Sequence, residues 1–143
     1  MIILDTNVVS ELMRAAPDPA VVRWLNRQPP AQVWVTVLTQ MEIFVGVELL
    51  PAGRRRESLA AAAKAVFDED FRGRVLSFGP DAAASYAGVY AKHKREGRNV
   101  SVFDVLIAAV ALSKDAVIAT RNLRDFEQCG VELVDPWAAG AAR

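Results

Sequence analysis

The chain has 143 residues, 52% of them hydrophobic, which favours one globular domain with a substantial core. Seventeen Lys and Arg balance 17 Asp and Glu, so the net charge does not indicate a nucleic-acid partner and any such contact must be local. One cysteine and one histidine exclude an intramolecular disulfide and the Cys- or His-rich zinc sites, which leaves only a hard cation with oxygen ligands as a candidate metal.

The sequence also lacks the patterns of secreted and membrane proteins. The N-terminus has no basic region followed by a long apolar run, so it does not match a signal peptide. The longest uninterrupted apolar run, residues 105–112, is too short to span a bilayer. We therefore expect a cytoplasmic protein without a membrane partner.

The first predicted element is a buried strand, because Ile2, Ile3 and Leu4 form a short continuous apolar run. This run ends at Asp5. In an open α/β sheet, ligands bind just outside the carboxyl ends of the strands, and Asp5 lies at that position on the expected central strand. Taken alone, however, Asp5 is better explained as a cap that accepts N–H groups from the following helix.

The remaining predicted elements alternate between helices and strands. In chain order they are helix 7–14, helix 19–28, strand 33–35, a helix from 36 or 39 to 50, an Ala-rich helix that follows residues 54–56 and ends near 71, strand 73–78, helix 80–96, helix 101–112, strand 116–119 and strand 131–134. This alternation predicts an α/β fold, a three-layer parallel sheet with helices on both faces. We expect one domain over residues 1–137 and a disordered tail over residues 138–143.

The helix that ends at residue 50 carries an acid in an apolar setting. Leu38, Glu42, Val45 and Leu49 recur at three- and four-residue spacing, so they are predicted to share one stripe of the helix. Glu42 is the only charged member of this stripe. Its structural explanation is a carboxylate that turns toward solvent at the helix margin.

Two basic clusters, residues 54–56 and 92–98, are candidates for local contact with nucleic acid. Each cluster taken alone is better explained as a solvated surface. His93 lies in the second cluster and is expected at the surface, because one histidine specifies little.

Further polar groups follow the later elements. Asp104 is the only charge in the most apolar predicted helix, and Asn122 and Asp125 follow strand 116–119. Each has a structural explanation as a capping residue, Asp104 in a variant capping box with Ser101. Together with Asp5 and Glu42, however, they all fall near strand ends or helix starts. A divalent cation is the simplest compensation for several converging carboxylates, and the cap role after the first strand then passes to Thr6 or Asn7.

At this point the sequence resembles the PIN-domain family, and more narrowly the VapC-type toxins of bacterial toxin–antitoxin pairs. The resemblance covers residues 2–137 in order and rests on four motifs. They are Ile3-Leu4-Asp5-Thr6-Asn7, Glu42 with Gly46, Asp104 before Leu106-Ile107-Ala108-Ala109, and Ala119-Thr120-Arg121-Asn122-Leu123-Arg124-Asp125-Phe126. The final Pro136-Trp137 is also similar to the end of many such chains.

The resemblance implies a Mg²⁺-dependent endoribonuclease, with Mn²⁺ as a possible substitute. It also implies a homodimer that is neutralised by a cognate antitoxin protein. Asp5, Glu42 and Asp104 match the family's acidic triad. The fourth acid of many members is Asn122 here, a neutral and weaker ligand, with Asp125 as a possible substitute, which leaves open whether one or two metals bind.

Under this hypothesis Asp5 and Asp104 hold the metal directly, and Glu42 binds it through water or orients the nucleophile. Thr6 and Thr120 are expected to donate hydrogen bonds to the carboxylates. Arg121 is a candidate contact for the RNA phosphate, although a surface role explains it equally well.

Two alternatives remain open. A Mg²⁺-dependent phosphotransfer domain also places an Asp after a strand, but a phosphatase of that kind needs a second Asp where this chain has Asn7. A degenerate PIN-like domain that only binds a partner is favoured by Asn122, whereas the intact Asp5, Glu42 and Asp104 argue against it.

Overall fold

The computed structural model describes residues 1–141 and contains a five-stranded sheet in which every neighbouring pair of strands is parallel. The strands are β1 (Ile2–Leu4), β2 (Val33–Thr36), β3 (Val75–Leu76), β4 (Val117–Ala119) and β5 (Leu133–Val134). They lie in the order β3-β2-β1-β4-β5, so β1 is central as predicted. The expected α/β fold is confirmed.

Eight α-helices surround the sheet within residues 1–141. They are α1 (Thr6–Leu12), α2 (Pro19–Asn26), α3 (Val37–Glu48), α4 (Arg54–Ala65), α5 (Pro80–Arg95), α6 (Val102–Ser113), α7 (Leu123–Phe126) and α8 (Pro136–Ala141). Side-chain caps begin α2, α3 and α6 among others: Asp18 accepts from Ala20 N at 2.8 Å, Thr36 from Thr39 N at 3.2 Å and Ser101 from Asp104 N at 3.4 Å. No helix within residues 1–141 is both long and apolar enough to cross a membrane.

The helices cover both faces of the sheet, because successive side chains of a strand point to opposite faces. Ile3 packs in a core with Ile118 and the buried face of α6. Its neighbour Leu4 packs on the other side, in a core with Val8 of α1 and Trp24 of α2. The apolar strands therefore have no solvated face, which explains why they read as continuous apolar runs.

The chain order places a switch point beside β1. From β1 the chain passes to β2 and β3 on one side, and it then returns to form β4 and β5 on the other. The connections from β1 and β4 therefore diverge at the carboxyl edge of the sheet, which is where open α/β sheets bind ligands. Asp5 and Thr120 are the first residues beyond these two strands.

Three expectations from the sequence are wrong. The stripe on α3 is out of phase, since its buried residues are Leu38, Thr39, Ile43 and Val47 whereas Val45 is 56% and Leu49 80% exposed. His93 is not a surface residue but only 2% exposed. Residues 138–141 of the expected disordered tail belong to α8, and residues 142–143 lie outside the described residues.

The Ala-rich helix that was predicted to follow residues 54–56 begins at Arg54 and changes type near its end. α4 stops at Ala65, and one wider turn over Val66–Asp70 follows, in which Phe71 N donates to Val66 O at 2.9 Å. Phe67 of this turn is 3% exposed and packs edge-on against Phe44 of α3. The wider turn therefore coincides with the burial of Phe67 against α3.

Truncating a buried side chain of α6 should be far more costly than truncating an exposed one of equal size. Ile107 is fully buried, so we expect Ile107→Ala to lower the free energy of unfolding by about 2–5 kcal/mol. Urea denaturation followed by circular dichroism measures this change.

Leu49→Ala is the matched control, because Leu49 is 80% exposed. We expect it to change the free energy of unfolding by less than about 0.5 kcal/mol. Equal losses in the two variants would contradict the assignment of the core to the β1–α6 face.

Candidate active site

The Asp5 carboxylate is buried at the carboxyl end of β1, where it is 4% exposed. Three donors surround it: Thr6 N lies 2.8 Å from Oδ1, and Asn7 Nδ2 and Thr120 Oγ1 lie 2.9 and 2.8 Å from Oδ2. Asp5 is itself the N-cap of α1, so the expectation that Thr6 or Asn7 takes this role is wrong. A residue can therefore cap a helix and still present an oxygen to a ligand.

Glu42 is linked to the same corner through Thr6. The Thr6 hydroxyl donates to Glu42 Oε1 at 2.7 Å, and the Thr39 hydroxyl lies 3.1 Å from Thr6 Oγ1. Because Thr6 has only one hydroxyl hydrogen and gives it to the carboxylate, Thr39 must be the donor of the second bond. Thr39 was not a predicted site residue, although its place one helical turn before Glu42 is a usable signal.

Asn7 joins the ends of β1 and β4 and was also not predicted as a site residue. Its Nδ2 donates to Asp5 Oδ2 at 2.9 Å and lies 3.3 Å from Thr120 Oγ1, while its Oδ1 accepts from Arg121 N at 3.2 Å. The only sequence signal for this role is the position of Asn7, a polar residue two positions after Asp5. Asn7 fixes the two chain segments relative to each other.

Asp104 lies in the first turn of α6, where its carboxylate interacts electrostatically with the other acids. Burial raises the pKa of the Asp104 carboxyl to about 6, and the neighbouring charges of Asp5, Asp125 and Glu42 contribute further. Burial likewise raises the pKa of Asp5, with a smaller contribution from Glu42, whereas the hydrogen bonds from Thr120, Thr6 and Asn7 act in the opposite direction. The structure thus brings the acids of the predicted triad into one electrostatic group.

The segment after β4 divides the remaining predicted residues. Asp125 shares a cleft with Asp104, whereas Asn122 is exposed before α7 and its side chain makes no hydrogen bond within residues 1–141. The Arg121 guanidinium lies over the Trp137 ring, 4.9 Å from its centroid. Of the two fourth-position candidates, Asp125 is the one that lines a cleft together with Asp104.

The chemistry of these side chains fits a hard divalent cation. All the acids offer oxygen, and no Lys or Arg of residues 1–141 forms a salt bridge with Asp5, Glu42, Asp104 or Asp125. Within that part of the chain, however, no three acidic, His or Cys side chains already stand close enough to enclose an ion. The donor set suits Mg²⁺ or Mn²⁺, and enclosing the ion requires the side chains to adjust.

Comparison with known families adds a direct match. The model of the PIN domain matches residues 2–131 of this chain. Among curated proteins, the chain is 37% identical to VapC ribonuclease Y4jK of Sinorhizobium fredii over 96% of this chain and 98% of that protein. It is 34% identical to toxin FitB of Neisseria gonorrhoeae, over 96% of this chain and 99% of that protein.

Solved structures give the same picture. The crystal structure of FitAcB from Neisseria gonorrhoeae matches with a TM-score of 0.84 and 32% identity, over 96% of this chain and 99% of that one. The DNA-bound VapBC of Salmonella typhimurium matches with a TM-score of 0.76 and 28% identity, over 94% and 97% of the two chains. These similarities extend over the whole domain rather than over the acidic motifs alone.

Neutralising Asp104 should stabilise the metal-free protein at neutral pH. The pKa of Asp104 in the folded protein, about 6, lies above its ordinary value of 3.8, so the folded state binds this proton more tightly than the unfolded state does. The destabilising effect of the charge therefore grows as pH rises from about 4 to 6 and is complete above that range. We expect Asp104→Asn to raise the free energy of unfolding in EDTA at pH 7.5 by on the order of 1 kcal/mol.

Urea denaturation at pH 7.5 and pH 4.5 measures this effect, and the gain should shrink at the lower pH. Glu132→Gln is the control, since Glu132 is exposed on the segment before β5 and forms no ion pair within residues 1–141. A metal-free Asp104→Asn protein that is less stable than the wild type at pH 7.5 would refute the electrostatic explanation.

Proposed function

The chain belongs to the PIN-domain family, and we propose that it is a metal-dependent endoribonuclease, the toxin of a type II toxin–antitoxin pair. The observation that carries this proposal is the group of carboxylates of Asp5, Glu42 and Asp104. Their negative charges repel one another, and none of them forms a salt bridge within residues 1–141. The names of its relatives, a VapC ribonuclease and a toxin, support the same class of activity.

Asp5 and Asp104 would hold Mg²⁺ or Mn²⁺ directly, with Glu42 completing the acidic set. When bound, the metal stabilises negative charge on the RNA phosphate and lowers the pKa of a water molecule for in-line attack. The substrate under this proposal is cytoplasmic RNA, which is cut at phosphodiester bonds.

The surrounding polar residues keep the carboxylates in place. Asp5 cannot rotate freely, because both of its oxygens accept hydrogen bonds at 2.8–2.9 Å. The Thr6 hydroxyl holds Glu42 by Oε1 at 2.7 Å, which leaves Oε2 to accept a hydrogen bond from the attacking water. Thr120 plays the same positioning role for Asp5 as Thr6 plays for Glu42.

Two residues after β4 complete the proposed site. Asp125 is the fourth acid, because it adds to the negative charge around Asp104 whereas Asn122 is neutral. Arg121 binds the substrate phosphate, with its guanidinium held over Trp137 at 4.9 Å. Stacking on an aromatic face leaves the N–H edge of a guanidinium available to an anion.

We also propose that a cognate antitoxin protein covers an apolar surface on α3, and that the chain forms a homodimer. Met41, Phe44, Val45 and Leu49 are 48%, 42%, 56% and 80% exposed, and adjacent apolar side chains of this size commonly mark protein interfaces. The similar structures of FitAcB and VapBC support a protein partner. The dimer rests on the family resemblance.

Removing one central acid or the metal should abolish RNA cleavage. We expect Asp5→Asn, which keeps the shape of the side chain, to lower the cleavage rate at least about 100-fold, because it removes a metal ligand charge. Excess EDTA should do the same to the wild type, and added Mg²⁺ or Mn²⁺ should restore the rate. Gel assays on a single-stranded RNA measure both effects.

Glu132→Gln again supplies the control and should cleave at the rate of the wild type. Cleavage that survives both Asp5→Asn and EDTA would exclude the proposed mechanism. Absence of cleavage in the wild type, together with intact binding of the antitoxin, would instead favour the degenerate binding domain.

A charge placed on α3 should weaken the protein interface without affecting cleavage. We expect Val45→Glu to lower co-purification with the short protein encoded beside this chain at least tenfold, because an unpaired buried charge costs more than about 1.4 kcal/mol. The control is Ala84→Glu on the exposed side of α5. If the two variants retain the partner equally, the antitoxin binds elsewhere.

A further inference from the structure

The cleft beside Asp104 contains cationic and hydrogen-bonding groups that the reaction proposed above does not use. Its volume is about 450 Å³, and it lies between the end of α5, the start of α6 and α7. Its lining includes His93, Arg98, Ser101, Asp104, Arg124 and Asp125.

A helix-ending turn brings Arg98 into this cleft. Gly97 has a φ of 69°, a left-handed conformation that suits glycine. Gly97 N donates to Lys94 O at 3.1 Å and Arg98 N to His93 O at 3.0 Å, the bonding pattern of a Schellman motif. The turn therefore fixes the backbone of Arg98 beside His93 instead of leaving it in a mobile loop.

Only one of the two terminal nitrogens of the Arg98 guanidinium has a partner within residues 1–141. Its Nη2 pairs with Glu96 at 3.0 Å, whereas Nη1 is buried without a hydrogen-bond partner in residues 1–141. A buried donor that has no acceptor is rare, because it loses its hydration without a replacement. Nη1 of Arg98 is therefore available to donate to an acceptor that enters the cleft.

His93 forms the buried wall of the cleft. It is 2% exposed, and its Nδ1 lies 2.8 Å from Val89 O. A carbonyl only accepts, so Nδ1 carries the hydrogen, and Nε2 makes no hydrogen bond within residues 1–141. The backbone carbonyl of His93 helps to hold the turn that carries Arg98, and Nε2 of the neutral ring is an acceptor.

Two more features favour an anion in this cleft. Arg124 is exposed and forms no ion pair within the described residues. The cleft also adjoins the N-terminus of α6, where the N–H groups of Val102 and Phe103 have no acceptor in that part of the chain. Free N–H groups and the helix dipole at such an end attract negative charge.

We propose that this cleft binds a backbone phosphate of the RNA strand, next to the phosphate that is cleaved. The inference rests on the proposed ribonuclease function, and it assigns the position of a phosphate that neighbours the cleaved one on the same RNA strand. Asp104 and Asp125 belong to both sites, so the two phosphates are neighbours. Arg98 and Arg124 counter the repulsion that these carboxylates exert on the strand.

Salt-dependent RNA binding tests this assignment. Fluorescence anisotropy of a labelled, unstructured 12-nucleotide RNA is measured between 50 and 400 mM KCl in the Asp5→Asn background, where the RNA stays intact. We expect Arg98→Gln to weaken binding about tenfold. Loss of one phosphate contact should also reduce the slope of log affinity against log salt by about 0.7.

Arg95→Gln is the matched control, because it removes the same charge from the exposed last turn of α5. It should leave affinity and slope unchanged, and Arg98→Lys should keep the slope. With an intact Asp5, Arg98→Gln should raise KM about tenfold while kcat is retained.

The outcomes separate this inference from the proposed function. If the wild type cleaves RNA but Arg98→Gln matches Arg95→Gln in slope and KM, the cleft proposal is overturned and the ribonuclease stands. A loss of affinity with an unchanged slope overturns the phosphate assignment, since a contact to a base does not release counterions. A wild type that neither cleaves nor binds RNA overturns both proposals.

Discussion

Burial of the Asp5 carboxylate is the constraint on which the rest of the site depends. An ionised group without a charged partner is costly inside a protein unless hydrogen bonds compensate it. Its three donors come from two distant parts of the chain, Thr6 and Asn7 after β1 and Thr120 after β4. The parallel pairing of β1 with β4, with Leu4 opposite Ala119, brings these donors together. The pairing of β1 with β4 therefore places the Thr120 hydroxyl where it donates a hydrogen bond to Asp5.

The hydrogen bonds do not remove the electrostatic cost completely. The pKa of Asp5 remains raised, and that of Asp104 reaches about 6, because burial and mutual repulsion outweigh the donors. Such a group of acids lowers the stability of the metal-free fold, a common property of functional sites. The apolar surroundings of α6, whose Ile107 and Val110 are fully buried, offset that loss.

The sequence predicts what depends on neighbouring residues and fails where distant ones decide. Ser101 caps α6 as its local pattern predicts, and the apolar runs locate β1 and β4. The phase of α3 was wrong because a polar residue, Thr39, is buried to support Thr6. The role of Asn7 depends on Thr120, 113 residues away, and no local pattern carries that information.

The surroundings of Glu42 differ from those of Asp104, because the two acids lie on different helices. Glu42 arrives on α3, whose exposed residues nearby are apolar, such as Phe44 and Val45. Asp104 arrives on α6, beside a cleft that contains Arg98 and Arg124. An apolar surface suits a protein partner, and a cationic cleft suits a phosphate chain. Under the two proposals the antitoxin therefore binds beside Glu42 on α3, and the RNA strand lies beside Asp104.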